Sequence, residues 1–208
     1  MRTLLLLISL LVTSALPASA RGLRVQDGDL LFVTAANTGL SGAINDATAR
    51  QGEASYDHVA LVAHDASGQI VLHADEEGSR QQTLAAFLGQ AKTKQRQVFV
   101  YRLKRDRRAA IPDAITQARG MLGKPYNFTY VQAEDSYYCS DFIERAFRAH
   151  HVFALQPMNF RNAQTGKISQ YWIDFYRGKG MDVPQDKPGT NPNDMAASPA
   201  LERVGVLE

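Results

Sequence analysis

The side chain best suited to covalent chemistry is the thiol of Cys139, the only cysteine among 208 residues. A thiolate is a strong nucleophile, and a helix N-terminus or a neighbouring imidazolium lowers the pKa of a cysteine. Cys139 lies where a helix is predicted to begin, because Phe142, Ile143 and Phe147 are spaced for one buried helix face. The sequence therefore predicts a reactive thiol with a lowered pKa, and an inert buried cysteine is the alternative.

A thiol nucleophile needs an imidazole base, and two of the five histidines have a suitable spacing. Apolar residues from His58 and from Ile70 predict two strands joined by a turn over 65–68. In such a hairpin His58 and His73 project from the same sheet face as diagonal neighbours. This arrangement suits a catalytic base that is oriented by a second polar residue.

Two other interpretations of these side chains stay open. With Cys139, the paired histidines would supply part of a zinc site. Zinc sites of this kind usually show closer ligand pairs, so we expect no metal and no other cofactor. The pair could also be ordinary surface histidines. The other three are predicted to lie in a hairpin turn or near a helix end: His64, His150 and His151.

Apolar periodicity and turn residues predict the elements that position these groups. Strands are predicted over 30–34, 58–63, 70–74, 98–103 and 201–207. Helices are predicted over 37–50, from Pro112 to a C-terminal cap at Gly123, from Cys139, and over 168–176. The segment 178–199 is rich in Pro, Gly, Asn and Asp, which is typical of extended loop. Strands and helices come in separate runs, and this order favours an α+β fold.

The N-terminal residues have the pattern of an export signal. Arg2 precedes an apolar run over 4–12, and Ala18 and Ala20 form a small-x-small cleavage site after Pro17. The sequence predicts a signal peptide over 1–20 and a single domain over 21–208. The protein is therefore expected to be exported, either to a periplasm or fully secreted. The apolar run is too short to span a membrane, and no later segment predicts stable membrane insertion.

Charge and cysteine content limit the classes of partner. The formal net charge of +2 gives no argument for a nucleic-acid partner, and the basic run over 104–108 is typical of a solvated loop. A chain with one cysteine has no internal disulfide, so the thiol either stays free or pairs between chains. The oligomeric state is not indicated.

The segment LGKPYNFTYVQAEDSYYCSDFI, residues 122–143, resembles the catalytic segment of NlpC-type papain-like hydrolases. In those proteins Leu-Gly-x-Pro-Tyr and a short loop precede Cys-Ser at the head of a helix. The segments GDLLF, YDHVALV and VLHA lie upstream of the cysteine here, whereas ordinary members have their histidine downstream. This order resembles the circularly permuted YiiX/YaeF-like amidases and, more distantly, the lecithin-retinol acyltransferase group. It implies a central antiparallel sheet packed against helices, with the nucleophile at a helix N-terminus.

The resemblance implies a role for each matching residue. Cys139 matches the nucleophile, and His58 matches the general base. His73 matches the third polar residue, for which relatives carry Glu or His, so Glu76 and Glu77 are alternatives for that role. Tyr126 matches the tyrosine of the Gly-x-Pro-Tyr element, which faces the site and would help to hold the oxyanion.

The chain departs from the family pattern at two places near the cysteine. The usual Gly-Gly after the tyrosine is absent, and Thr129 and Tyr130 stand nearby instead. Tyr138 replaces the Asp that precedes the cysteine. Both changes leave the substrate pocket undefined by the resemblance.

These observations predict an exported cysteine hydrolase of the amidase or peptidase type, acting through an acyl-enzyme. The expected substrate is an amide, such as a cell-wall peptide, a γ-glutamyl bond or an N-acyl bond. Two alternatives use the same fold. One is a non-catalytic module that binds cell wall or peptide, and the other is a lipid acyltransferase or esterase.

Overall fold

The computed structural model describes residues 23–207. The predicted signal peptide over 1–20 and the predicted mature start at Arg21 lie outside these residues and stay predictions. The described strands are β1 (Leu30–Thr34), β2 (Tyr56–Asp65), β3 (Gly68–Asp75), β4 (Gly78–Thr83), β5 (Val98–Leu103), β6 (Gln156–Pro157), β7 (Pro188–Gly189) and β8 (Leu201–Leu207). The described α-helices are α1 (Gly39–Thr48), α2 (Leu84–Thr93), α3 (Ile111–Gly120), α4 (Cys139–Phe147), α5 (Gln170–Arg177) and α6 (Pro192–Ala196).

Six strands form one antiparallel sheet in the order β4-β3-β2-β1-β5-β8, and β6 pairs with β7 elsewhere. Helices α3 and α4 pack on one face of the large sheet, and α2 packs on the other. The central strands are therefore buried on both faces, which is why their sequences are nearly unbroken apolar runs. Within residues 23–207, no helix is both long and apolar enough to cross a bilayer.

Most of the predicted elements are confirmed, with one wrong boundary. Strands β1 and β5 and the start of α4 lie where the sequence predicts them. The predicted cap at Gly123 is wrong, because α3 ends at Gly120. Gly123 belongs to the following turn, with φ +81°, and its N–H donates to the carbonyl oxygen of Ser79 at 2.7 Å.

Five of these elements were missed in the sequence: β4, α2, α6 and the short strands β6 and β7. Strand β4 lies at the sheet edge and is largely polar, so it lacks an apolar signal. Helix α2 follows it directly, and only Phe87 and Ala91 of this helix are buried. The predicted loop over 178–199 contains α6, whose N-cap Asn191 accepts a hydrogen bond from the Asp194 N–H at 2.9 Å.

An aromatic cluster holds the chain that leads to Cys139 against α1 and α5. The indole N–H of Trp172 on α5 donates to the carbonyl oxygen of Ala43 on α1 at 3.2 Å. The hydroxyl of Tyr176 donates to the carbonyl oxygen of Thr129 at 3.0 Å. These bonds tie two surface helices to the segment between Tyr126 and Cys139.

The β3–β4 turn fixes the start of the same segment. The Ser79 N–H donates to the carbonyl oxygen of Lys124 at 2.8 Å, and its hydroxyl donates to that of Met121 at 2.6 Å. Gly78 allows this approach, because a Cβ at that position would lie 2.5 Å from the Lys124 carbonyl oxygen. Its φ of +101° also favours glycine.

We expect Gly78→Ala to lower the free energy of unfolding by at least about 1 kcal/mol more than Gly68→Ala does. Both glycines lie in hairpins of the same sheet and have positive φ, +101° and +112°. A Cβ at Gly68 would meet nothing within 4 Å, so that variant isolates the backbone strain. Chemical denaturation of the two variants measures the difference. Equal losses would show that the contact with Lys124 does not hold the turn in place.

Candidate active site

Cys139 is the first residue of α4, and a short backbone bridge positions it beside Tyr126. The Asn127 N–H donates to the carbonyl oxygen of Tyr137 at 3.0 Å, and the Tyr137 N–H donates to that of Pro125 at 3.1 Å. The Gly-x-Pro-Tyr element and the residues before the cysteine therefore run side by side. This pairing brings Tyr126 and the helix start to one place.

A β-bulge at the start of β2 receives the thiol. Val33 pairs with His58 and Thr34 pairs with Tyr56, so Asp57 is the extra residue of the bulged strand. The Cys139 Sγ lies 3.7 Å from the carbonyl oxygen of Asp57 and donates to it. The Asp57 carboxylate is paired with Arg96, which also donates to the carbonyl oxygen of Thr34. Arg96 thus ties the bulge to β1, because its guanidinium binds both the Asp57 carboxylate and the Thr34 carbonyl oxygen.

The prediction of a lowered pKa for the Cys139 thiol is wrong, because its pKa is raised. Cys139 is 4% exposed, and burial together with the Asp57 carboxylate raises the pKa of its thiol to about 12. Backbone N–H groups of Val59, Ser140 and Cys139 lower the pKa, but by less. The expected lowering by the helix N-terminus is therefore outweighed by desolvation. Cys139 rests as a neutral thiol.

The two predicted histidines meet as the hairpin register requires. Leu61 pairs with Leu72 and Asp65 with Gly68, so the turn is two residues long. With this register, the side chains of His58 and His73 project from the same sheet face, as expected. The Nε2 of His58 and the Nδ1 of His73 are 2.9 Å apart and share a hydrogen bond. The sequence-based prediction that these imidazoles share one sheet face is confirmed.

His73 is enclosed and lies beside a carboxylate. It is 1% exposed, and its Nε2 lies 3.9 Å from Asp75 Oδ2. Burial, together with the neighbouring His58, lowers the pKa of His73 to about 3. Burial also lowers the pKa of His58, while Asp57 and Asp75 raise it. Both imidazoles are therefore neutral near pH 7.

The thiol and the imidazoles approach β2 from opposite faces of the sheet. Phe87 of α2 packs against both imidazoles, with ring centroids 6.1 Å from His58 and 5.6 Å from His73. Helix α4, which carries Cys139, packs on the other face. Within residues 23–207 the thiol has no hydrogen bond to an imidazole, and its contact is with the carbonyl of Asp57. What the two groups share is the bulged end of β2, where the thiol contacts the carbonyl of Asp57 and His58 is the next residue.

Two cavities border this end of the strand. One of about 390 Å³ is lined by both histidines, and one of about 40 Å³ is lined by Cys139. Ile44, Asp57 and Tyr126 line both cavities. Burial raises the pKa of Tyr126 well above its ordinary value, and the nearby Tyr130 and Cys139 raise it further. Tyr126 is thus a neutral hydroxyl next to the cysteine.

The other polar candidates are paired with other side chains, although Glu76 and Glu77 line the larger cavity together with the two histidines. Glu76 and Glu77 are exposed, and they pair with Lys94 at 3.8 Å and with Arg80 at 3.0 Å. Arg80 also binds both carboxylate oxygens of Asp75. Two further histidines pair with surface carboxylates, His64 with Asp27 and His150 with Asp113. Within the described chain, no group of three or more His, Cys, Asp or Glu side chains could hold a metal ion.

Sequence reasoning missed the residues that anchor and line the site. The bulge at Asp57 has no sequence signal, because an extra residue in a strand is visible only against its partner. Asp75 is two residues after His73 on β3, so the alternation of side chains along the strand could have placed it beside His73. Phe87 contacts both imidazoles from a helix that the sequence did not reveal. Thr190 lines the small cavity from the C-terminal segment that was predicted to be loop.

The comparisons with known proteins agree with this architecture. No curated protein matches the chain. A crystal structure of "metalloprotein yiiX" from Escherichia coli O157:H7 is similar in fold, with a TM-score of 0.67 and 19% sequence identity. The match covers 86% of this chain and 96% of that one.

A family model described as permuted papain-like amidase enzyme, YaeF/YiiX, C92 family, matches residues 24–205. The match confirms the expected fold, in which an antiparallel sheet packs against helices with the cysteine at a helix start. It also supports an amide or peptide as the class of substrate. The chain belongs to the YaeF/YiiX family of permuted papain-like amidases, a family of cysteine hydrolases.

Proposed function

We propose that this protein is an exported cysteine amidase in which Cys139 forms an acyl-enzyme, His58 acts as the base and His73 orients it. The observation that carries the proposal is the 2.9 Å hydrogen bond between His58 Nε2 and His73 Nδ1. It lies at the end of β2 that the thiol also touches. The proposed substrate is a cell-wall peptide, a γ-glutamyl amide or an N-acyl amide.

The tautomers of the two imidazoles follow from the groups around them. A neutral imidazole has one donor and one acceptor nitrogen, so one of the two facing nitrogens carries the shared proton. Asp75 lies 3.9 Å from His73 Nε2 and favours a proton there. His73 Nδ1 is then the acceptor and His58 Nε2 the donor. This leaves the lone pair of His58 on Nδ1, the nitrogen available to a thiol.

The proposed reaction starts from the neutral pair. As the thiol turns from the Asp57 carbonyl, its proton passes to His58 Nδ1 while the sulfur attacks the amide carbon. The oxyanion is held by the neutral Tyr126 hydroxyl and by N–H groups at the start of α4. His58 then gives its proton to the leaving amine. Water, activated by His58, hydrolyses the thioester and restores the thiol.

The role of His73 predicts graded losses of turnover. Cys139→Ala and His58→Ala should abolish hydrolysis, because nothing replaces the covalent bond or the base. His73→Ala should retain a small rate, because this residue acts through His58. His73→Gln should retain more than His73→Ala, since its carboxamide oxygen accepts the His58 N–H without adding a charge beside Asp75.

Turnover on amide substrates measures these effects, and circular dichroism checks folding. His64→Ala is the matched control, because His64 is an exposed histidine paired with Asp27 outside the site. Full activity in Cys139→Ala would exclude the thiol mechanism. Full activity in His73→Ala would remove His73 from the triad.

The raised thiol pKa predicts slow alkylation of the resting protein. Because the pKa of Cys139 is raised to about 12, the thiolate fraction at pH 7–9 is far below that of a free cysteine, whose pKa is about 8.5. The rate with iodoacetamide should therefore stay below that of a model thiol and rise with pH throughout this range. A rate above that of the model thiol at pH 7 would show an ionised resting cysteine instead.

The lowered pKa of His58 predicts the pH at which activity is lost on the acid side of the pH profile. Burial lowers the pKa of His58, and only the neutral imidazole can accept the thiol proton. The acid limb of kcat/KM should therefore lie below the ordinary histidine value of about 6.5. Asp75 raises the pKa of both imidazoles, so Asp75→Asn should shift the limb to still lower pH. Asp27→Asn, at the exposed His64, should leave it unchanged, and an upward shift in Asp75→Asn would contradict the assignment.

A further inference from the structure

The bulged end of β2 has few strand partners to hold it. Within residues 23–207, β2 pairs with β1 from Tyr56 and with β3 only from Leu61 onward. A bulge also interrupts the hydrogen bonds of the strand ladder. Asp57, whose carbonyl meets the thiol, and His58, the proposed base, both lie in this weakly paired part of the strand. Contacts from outside the sheet therefore have to fix their position.

Asn193 of α6 makes such a contact at the residue before the bulge. Its carboxamide oxygen accepts a hydrogen bond from the Tyr56 N–H at 2.7 Å. Its nitrogen donates to the hydroxyl oxygens of Thr48 at 2.8 Å and of Ser55 at 3.3 Å. Because a backbone N–H can only donate, the oxygen of the carboxamide must face Tyr56. Asn193 is 2% exposed, so these bonds lie away from solvent.

The tie made by Asn193 extends to the wall of both cavities. The Thr48 hydroxyl, at the end of α1, donates to the carbonyl oxygen of Ile44 at 2.8 Å. Ile44 lines the cavity of the histidines and the cavity of the cysteine. Asn193 thus connects the start of β2 with a helix that borders the candidate site.

The segment that carries Asn193 is also fixed to the residue before the cysteine. The Thr190 N–H donates to the Tyr138 hydroxyl at 3.1 Å. The approach is close, because a Cβ at Gly189 would lie 2.8 Å from that hydroxyl oxygen. One short segment, residues 189–193, therefore holds both the start of α4 and the start of β2.

Helix formation and core packing do not explain an asparagine at position 193. Helix α6 is capped by Asn191, so Asn193 is not needed to begin the helix. An apolar side chain of the same shape would cover the strand without burying an amide. It would leave the buried Tyr56 N–H without an acceptor, however, and an unpaired buried N–H is costly. What Asn193 supplies is therefore the hydrogen bond to the strand itself.

We propose that Asn193 is a positioning residue for the hydrolase reaction. Its bond to the Tyr56 N–H fixes the bulge. The bulge in turn places His58 and the Asp57 carbonyl relative to Cys139. Asn193 touches none of the proposed reacting atoms and acts through the strand. Its part in the reaction rests on the proposed roles of Cys139 and His58, whereas its hold on the bulge does not.

Turnover of the full chain on γ-glutamyl and N-acyl 4-nitroanilides tests the role in catalysis. Asn193→Leu keeps the branched shape of the side chain but removes the acceptor. It should lower kcat about tenfold, the effect of one hydrogen bond lost from the transition state, and leave KM within about twofold. If Asn193→Leu does not fold, Asn193→Ala replaces it in the same comparison.

The conservative variant Asn193→Asp should restore most of the turnover. It keeps an oxygen for the Tyr56 N–H, and the Ser55 hydroxyl can donate to its second oxygen. Its kcat should therefore stay within about threefold of the wild-type value. Its Tm should fall at least as far as that of Asn193→Leu, because it buries a carboxyl group. Activity and stability then change in different orders, which a purely structural asparagine would not produce.

Alkylation of Cys139 measures the position of the bulge without any substrate. In the resting protein the thiol donates to the Asp57 carbonyl. Asn193→Leu should loosen this contact and admit solvent. The rate with iodoacetamide at pH 8 should then rise at least about threefold, because the thiolate is the reactive form and a solvated thiol ionises more readily. Asn193→Asp should stay close to the wild-type rate.

Asp29→Asn is the matched control for stability. The Asp29 carboxylate is 0% exposed and binds Arg102 at 2.7 Å and 2.8 Å, next to the end of β1 opposite the bulge. Its loss should lower the Tm, because it weakens a buried ion pair. The kcat and the alkylation rate should stay at the wild-type values.

Three results would overturn the proposal. They are an unchanged kcat or alkylation rate in Asn193→Leu, a kcat in Asn193→Asp as low as in Asn193→Leu, and an equal loss of kcat in Asp29→Asn. Failure of the proposed function gives a different result. Full turnover in Cys139→Ala would reject the thiol mechanism, and the alkylation rates would still decide whether Asn193 holds the bulge.

Discussion

The bulge at Asp57 is the constraint on which the candidate site depends. One extra residue at the start of β2 separates Tyr56, which packs with α4 and β5, from His58, which faces α2. The same residue presents its carbonyl to the Cys139 thiol and its carboxylate to Arg96. In a regular strand, residues 56 and 58 would face the same side of the sheet. At the bulge, a cysteine on one side of the sheet contacts Asp57, and the next residue, His58, faces the other side.

Burial gives the site a neutral resting state. Desolvation raises the pKa of Cys139 and lowers that of both histidines, so an ion pair is disfavoured before substrate binds. Such a thiol is less exposed to oxidation, because oxidation follows thiolate character and solvent access. This protection suits a lone cysteine in a protein that we propose to be exported. In the proposed reaction the thiol proton therefore passes to His58 during the attack, and the tautomer of His58 decides which of its nitrogens can accept that proton.

Much of this arrangement was predictable from local sequence. The hairpin parity placed His58 and His73 on one face, because side chains alternate along a strand and the register depends only on the turn. The helix start at Cys139 followed from the spacing of Phe142, Ile143 and Phe147. The family resemblance supplied the fold, and the family match confirms it.

The remaining features depend on contacts between distant segments. Edge strand β4 is polar, and α2 buries only two residues, so neither gave a strong apolar pattern. The high pKa of Cys139 comes from burial by the whole domain, which outweighs the helix-start effect. Tyr130 and Tyr138, at the two departures from the family pattern, both line the small cavity. That they line one cavity, together with Ser140 and Thr190, depends on how distant segments pack.

The central claim is that an acyl group passes through the sulfur of Cys139. Rapid acid quenching during turnover of an amide substrate, followed by mass spectrometry of the peptide that contains residue 139, tests it most directly. The account predicts an added mass equal to the acyl part of the substrate on Cys139, absent from His58→Ala under the same conditions. Turnover with the added mass on another residue would contradict it.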